Sequence, residues 1–70
     1  MEEKEFQNLI GKKVKIKVAW EKRYRHGIIE KIDTCIFGGL DFGEHKAVFL
    51  KQPTKTLAIK LKEIEEIITN

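Results

Sequence analysis

The sequence predicts a mainly β domain: a five-stranded small barrel with a short N-terminal helix and a C-terminal helical turn. Apolar and charged residues alternate over residues 13–18, which is the pattern of a strand that buries one face. Further short apolar stretches follow, separated by turn residues and by glycines that suit barrel bends. Because the chain has only 70 residues, it is predicted to be one domain with one small core.

A helical cap is predicted over residues 1–10, on a barrel of residues 12–68. Apolar residues recur at i, i+3 and i+4 from Phe6, so they share one side of a helix. Gly11 then stands where helices commonly end. Since an isolated helix this short is marginal in water, it is expected to pack against the barrel.

The first strand is predicted over residues 13–20. Val14, Ile16 and Val18 fall on one face, because successive side chains of a strand point to opposite sides. The opposite, outer face carries Lys13, Lys15 and Lys17. The same alternation predicts that Trp20 lies on the core face.

Strands two and three are predicted over residues 24–33 and 35–42, with a weak turn at Asp33 and Thr34 between them. Gly27 inside the second strand indicates a bulge or a sharp bend. The pair Gly38–Gly39 inside the third strand is interpreted as a second bend, and a tight turn is the alternative.

The remaining chain is predicted to turn over residues 43–46 and to form strand four over residues 47–50. Strand five is predicted over residues 56–62, followed by a helical turn over residues 64–68, where the apolar spacing changes to a helical period. A continuous helix over residues 55–68 is the competing interpretation, because apolar residues also recur there at i, i+4, i+7 and i+11.

Three motifs follow one another along this pattern: Val-x-Ile-x-Val in the first strand, Gly27-Ile28-Ile29-x-x-Ile32-Asp33, and a closing Ile59-x-Leu61-x-x-Ile64-x-x-Ile67. In these motifs the chain resembles the SH3-like and Sm-like small barrels, including the bacterial YolD-like and Hfq-like groups. The resemblance implies the fold. The asparagine with which many Sm-like proteins hold a base has no counterpart after Asp33, where Thr34 follows.

Positive charge is concentrated in residues 11–26, which hold seven Lys and Arg residues against the single carboxylate of Glu21, although the whole chain carries only +3. A local field of this kind attracts polyanions. We therefore predict a small non-enzymatic module that binds the phosphates of DNA or RNA. The predicted contacts are Lys13, Lys15, Lys17, Lys22, Arg23 and Arg25, with Tyr24 as the base-stacking residue.

Two other interpretations of the same surface stay open. Lysines on an outer strand face also keep a protein soluble and protect a sheet edge from pairing with another chain. The alternative function is a protein-interaction or homo-oligomerising adaptor module with no role in nucleic-acid binding.

No catalytic, cofactor or metal site is predicted, since no two of His26, Cys35, Asp41 and His45 have a recognised ligand spacing. Cys35 is expected to be a small buried apolar residue. No membrane partner is expected, because no apolar stretch approaches the roughly 20 residues that span a bilayer. The single cysteine fits the reducing cytosol, so a cytoplasmic location is predicted.

Overall fold

A computed structural model describes residues 3–69 of the protein. It is mainly β, with one short helix and five antiparallel strands in a single sheet of order β4-β3-β2-β1-β5. The elements are α1 (Glu3–Gln7), β1 (Lys13–Val18), β2 (Arg25–Phe37), β3 (Gly43–Lys51), β4 (Thr56–Lys60), a 3-10 turn (Leu61–Glu63) and β5 (Ile64–Thr69). Because β4 and β5 are the two sheet edges, hydrogen bonding does not close the sheet.

The first strand confirms the alternating pattern over most of its predicted length. Val14, Ile16 and Val18 are fully buried. The strand nevertheless ends at Val18 and not at Trp20, because the Glu21 amide donates to the Val18 carbonyl at 3.2 Å and so forms a turn. The prediction that Trp20 belongs to the core is wrong, since 62% of this residue is exposed.

The predicted second and third strands are divided at the wrong place. Strand β2 runs without a break through Asp33 and Thr34, where a turn was predicted. The chain reverses at Gly38–Gly39, with Gly39 at a φ of +87° that favours glycine. Residues 40–42 therefore belong to the β2–β3 turn and not to a strand. Residues 43–46, the predicted turn, begin β3.

The C-terminal part contains two strands, and the first of them, β4, confirms most of the strand predicted over residues 56–62. Because residues 64–69 form β5, the predicted helical turn over residues 64–68 and the competing helix over residues 55–68 are both wrong. The only helical turn in this part of the described chain is the 3-10 turn, which comes before β5. A register shift in the β1–β5 pairing places a β-bulge in the strand pair. Because of it, Ile64 and Ile67 both pack on the core although they are three residues apart.

Helix α1 covers residues 3–7, so it is shorter than the predicted cap of residues 1–10, whose first two residues lie outside the described part. Phe6 is fully buried and is the residue that joins the helix to the core. Leu9 packs against the core from the following turns, and Ile10 is 46% exposed.

Gly27 lies opposite Val14 in a regular register, so the predicted bulge is not at this position. The irregularity of β2 falls at Glu30. Gly27 instead permits a close approach of β3: a Cβ atom there would lie 2.6 Å from the Lys51 carbonyl oxygen and 2.8 Å from Cγ of Leu50. The glycine thus leaves the space that Leu50 occupies in the core.

Candidate nucleic-acid interface

The outer face of the sheet carries two cross-strand rows that contain lysines and no carboxylate. Residues directly opposite each other in antiparallel strands lie on the same face, so the register defines the rows. One row is Lys13–Ile28–Lys51, across β1, β2 and β3, and the other is Ile68–Lys15–His26, across β5, β1 and β2. We call these six residues the basic rows. They place three ammonium groups beside two exposed isoleucines.

The next row along β1 differs, because β5 brings acidic side chains to it. Lys17 lies opposite Glu66, and its ammonium group forms an ion pair with Glu65 at 2.7 Å. The hydroxyl of Tyr24 donates a hydrogen bond to the Glu66 carboxylate. This hydrogen bond raises the pKa of Tyr24 above its ordinary value.

Arg25, at the start of β2, is also held by a carboxylate, since its Nε lies 2.6 Å from Oε1 of Glu21. Three of the seven predicted contact residues are therefore engaged within the domain. In residues 3–69, four have no ion pair with a carboxylate: Lys13, Lys15, Lys22 and Arg23.

The positive charge that the sequence concentrates in residues 11–26 is consequently divided between two parts of the surface. One part is the basic rows. The other is the loop of residues 19–24 between β1 and β2, where Lys22 and Arg23 are exposed next to Trp20. Sequence reasoning did not identify Trp20 as a surface residue. The signal that could have done so is the run of charged residues over 21–23, which is typical of a turn.

A second feature fixes the β2–β3 turn. The Asp41 carboxylate accepts a hydrogen bond from Lys60 at 3.5 Å and pairs with Lys62. Nε2 of His45 lies 3.5 Å from the same carboxylate and 3.0 Å from the Asp41 carbonyl oxygen. The hydrogen bond with Lys62 is the main reason that the pKa of Asp41 lies below its ordinary value.

Apolar side chains of this turn and of the adjoining end of β2 are exposed to solvent. Leu40 is fully exposed, Phe42 is 76% exposed and Ile36 is 67% exposed. Isolated exposed apolar residues are common, but here two lie in the turn and Ile36 lies at the adjoining end of β2. Exposed apolar residues that occur together in this way are typical of protein contacts.

The residues considered for metal or catalytic chemistry are dispersed. In the described part of the chain, no three His, Cys, Asp or Glu side chains are grouped so that they could hold a metal ion. Cys35 is half-buried and lies outside the core cluster, so the expectation of a buried apolar cysteine is wrong. His26 is exposed on β2, and His45 contacts Asp41.

No protein-family model matches the chain, and comparisons with curated proteins and with solved structures give no significant match. Over residues 3–69, no helix has the length and apolar character required to cross a membrane.

Proposed function

We propose that the protein is a small non-enzymatic module that binds the phosphates of DNA or RNA through the basic rows and the β1–β2 loop. The observation that carries this proposal is the absence of carboxylates from the basic rows, whereas Lys17, the next lysine on the same face of β1, is paired with Glu65. Lys13 and Lys15 thus remain available to an external anion, and the regularly spaced phosphates of a nucleic acid are a polyanion that such a row of ammonium groups attracts.

We further propose that the sheet is an SH3-like or Sm-like small barrel. Two features support this assignment. Residues from β1 and β4, which are not neighbours in the sheet, share one core, as shown by Ile16 and Ile59. The two edge strands are joined by a 3-10 turn of only three residues. A cytoplasmic location is part of the proposal, because the lone Cys35 suits a reducing compartment.

Neutralising Lys13 and Lys15 together, as Lys13→Gln/Lys15→Gln, is expected to weaken binding to nucleic acid and to make it less dependent on salt. Each lost phosphate contact lowers the slope of log K against log salt by about 0.7–0.9, so the double variant should lose about 1.4–1.8. The measurement is fluorescence anisotropy of labelled single-stranded and duplex DNA and RNA over a series of salt concentrations.

The control is Lys4→Gln/Lys46→Gln, which removes the same charge from exposed lysines of α1 and β3 outside the basic rows. Of these two, Lys46 lies 3.6 Å from the Glu3 carboxylate. Lys17→Gln is also expected to weaken nucleic-acid binding less than Lys13→Gln/Lys15→Gln does, since Lys17 is paired with Glu65. Equal losses in the two double variants would show that only net charge matters, and would contradict binding at the basic rows. No salt-sensitive binding by the unaltered protein would refute the function.

A second candidate function, a protein-interaction or self-associating adaptor, is favoured by the apolar β2–β3 turn. For this function, sedimentation velocity should show an assembly that grows with protein concentration. We then expect Leu40→Ser/Phe42→Ser to shift the protein to the monomer, because the exposed apolar area is removed. Lys13→Gln/Lys15→Gln should leave the assembly unchanged, and a monomer at all concentrations would argue against self-association.

A further inference from the structure

Three shallow grooves lie side by side on the surface and share lining residues. The first, of about 250 Å³, includes Trp20 and Phe37. The second, of about 430 Å³, includes Tyr24 and shares Arg25 with the first. The third, of about 280 Å³, shares Gln52 with the second and reaches the first of the two basic rows. We call the three grooves together, from the β1–β2 loop to that row, the groove path.

The groove path has an excess of positive charge. Its cations are Lys13, Arg25, Lys51, Lys55 and Lys60, and its carboxylates are Glu21 and Glu63. Both carboxylates already pair with cations of the path, Glu21 with Arg25 at 2.6 Å and Glu63 with Lys60 at 3.5 Å. The three remaining lysines pair with no carboxylate of residues 3–69, so the path as a whole suits a polyanion.

Three aromatic residues line the same path, and Trp20 is the most exposed of them. The hydroxyl of Tyr24 is hydrogen-bonded to Glu66. The ring of Phe37 has the Lys60 ammonium group 5.0 Å from its centroid. Trp20 is 62% exposed in the β1–β2 loop, close in sequence to the unpaired cations Lys22 and Arg23.

We propose that the groove path binds an extended single strand of nucleic acid, with one base stacked on Trp20. This inference rests on the proposed function and specifies its ligand. An exposed ring beside cationic grooves is the combination that binds single strands, because stacking requires a base with a free face. The bases of a duplex are stacked on one another and do not offer that face.

The size of the groove at Trp20 agrees with one base of a strand better than with a whole small molecule. Pockets for whole small ligands typically occupy about 300–1,000 Å³ and enclose most of the ligand. The groove at Trp20, at about 250 Å³, is smaller than this and open to solvent. It suits a single base whose neighbours along the strand occupy the adjoining grooves.

The test uses the single tryptophan of the chain as its own probe. The unaltered protein is titrated with a fluorescein-labelled single-stranded DNA and RNA of about a dozen nucleotides, and with the DNA duplex. The anisotropy of the label measures binding. In a second titration with unlabelled oligonucleotide, the tryptophan fluorescence measures stacking. We expect binding of the single strand to quench the fluorescence of Trp20. Trp20→Ala should weaken the affinity for the single strand about 5- to 150-fold, the range that corresponds to one stacked base.

Trp20→Phe is the matched control, because it retains an aromatic face and should preserve most of the affinity. Both variants are expected to fold, since the side chain lies outside the core. Salt-sensitive binding without quenching, and without loss in Trp20→Ala, would overturn the stacking proposal and leave the proposed function standing. Tighter binding of the duplex than of the single strand would overturn the ligand assignment. No salt-sensitive binding of either form would refute the proposed function itself.

Discussion

Replacing Phe6 by alanine is expected to lower the free energy of unfolding by about 3–5 kcal/mol, the usual cost of truncating a buried aromatic side chain. Phe6 is fully buried and is the only residue of α1 that belongs to the core cluster. A helix of five residues has no stability of its own in water. The substitution therefore removes both a large part of a small core and the contact that holds α1 in place.

Urea denaturation, followed by the circular dichroism of the sheet, measures this effect. Glu5→Ala is the matched control in the same helix, because Glu5 is exposed, and it should change the free energy of unfolding by no more than about 0.5 kcal/mol. Phe6→Leu keeps most of the buried volume and should cost less than about 1.5 kcal/mol, so it remains measurable even if Phe6→Ala is unfolded. Equal stabilities of Phe6→Ala and Glu5→Ala would contradict the packing of α1.

The first strand could be predicted from the sequence because its burial follows a strict period of two. Each of Val14, Ile16 and Val18 pairs with a neighbour in the same sheet. The register shift between Lys17 and Val18 places its extra residue on β5, so the burial of β1 alternates up to Val18. The prediction failed at Trp20, where a backbone turn ends the strand. Periodicity indicates which face a residue would occupy in a strand, but it does not indicate where the strand ends.

The fifth strand could not be predicted in the same way because a β-bulge changes its period. Across the bulge, Ile64 and Ile67 both point to the core, and a spacing of three residues is also that of a helix. A bulged strand and a helix with this spacing can be distinguished only when the partner strand is known. A similar ambiguity affected Gly38–Gly39, since a glycine pair suits a bend within a strand and a turn between strands equally well.

The cations of the candidate site were predictable, but their partners were not. Alternation placed Lys15 and Lys17 on one outer face, and the structure has both there. Lys17 is paired with Glu65, which lies 48 residues away along the chain, whereas Lys15 has no such pair in the described residues. Which cations remain available depends on the strand that lies beside β1, and this contact is set by the tertiary fold.

Replacing Gly27 by alanine is expected to lower the free energy of unfolding by about 1–3 kcal/mol, because the added methyl group overpacks the core. Its Cβ would stand 2.6 Å from the Lys51 carbonyl oxygen and 2.8 Å from Cγ of Leu50, and a backbone oxygen in a strand cannot move aside as a flexible side chain can. Leu50 is itself fully buried, so it has no open space to enter.

Gly38→Ala is the control, because it is expected to raise the free energy of unfolding where Gly27→Ala lowers it. Neither glycine has a positive φ, so neither substitution strains the backbone. An added Cβ at Gly38 meets no atom within 4 Å, and Gly→Ala at a compatible position stabilises by about 0.4–1 kcal/mol because it restricts the unfolded chain. The difference between the two variants in urea denaturation therefore measures the packing at Gly27. If both variants were equally stable, β3 would not lie against Gly27. Its neighbours Ile28 and Lys51 would then not form the basic row on which the proposed phosphate contacts depend.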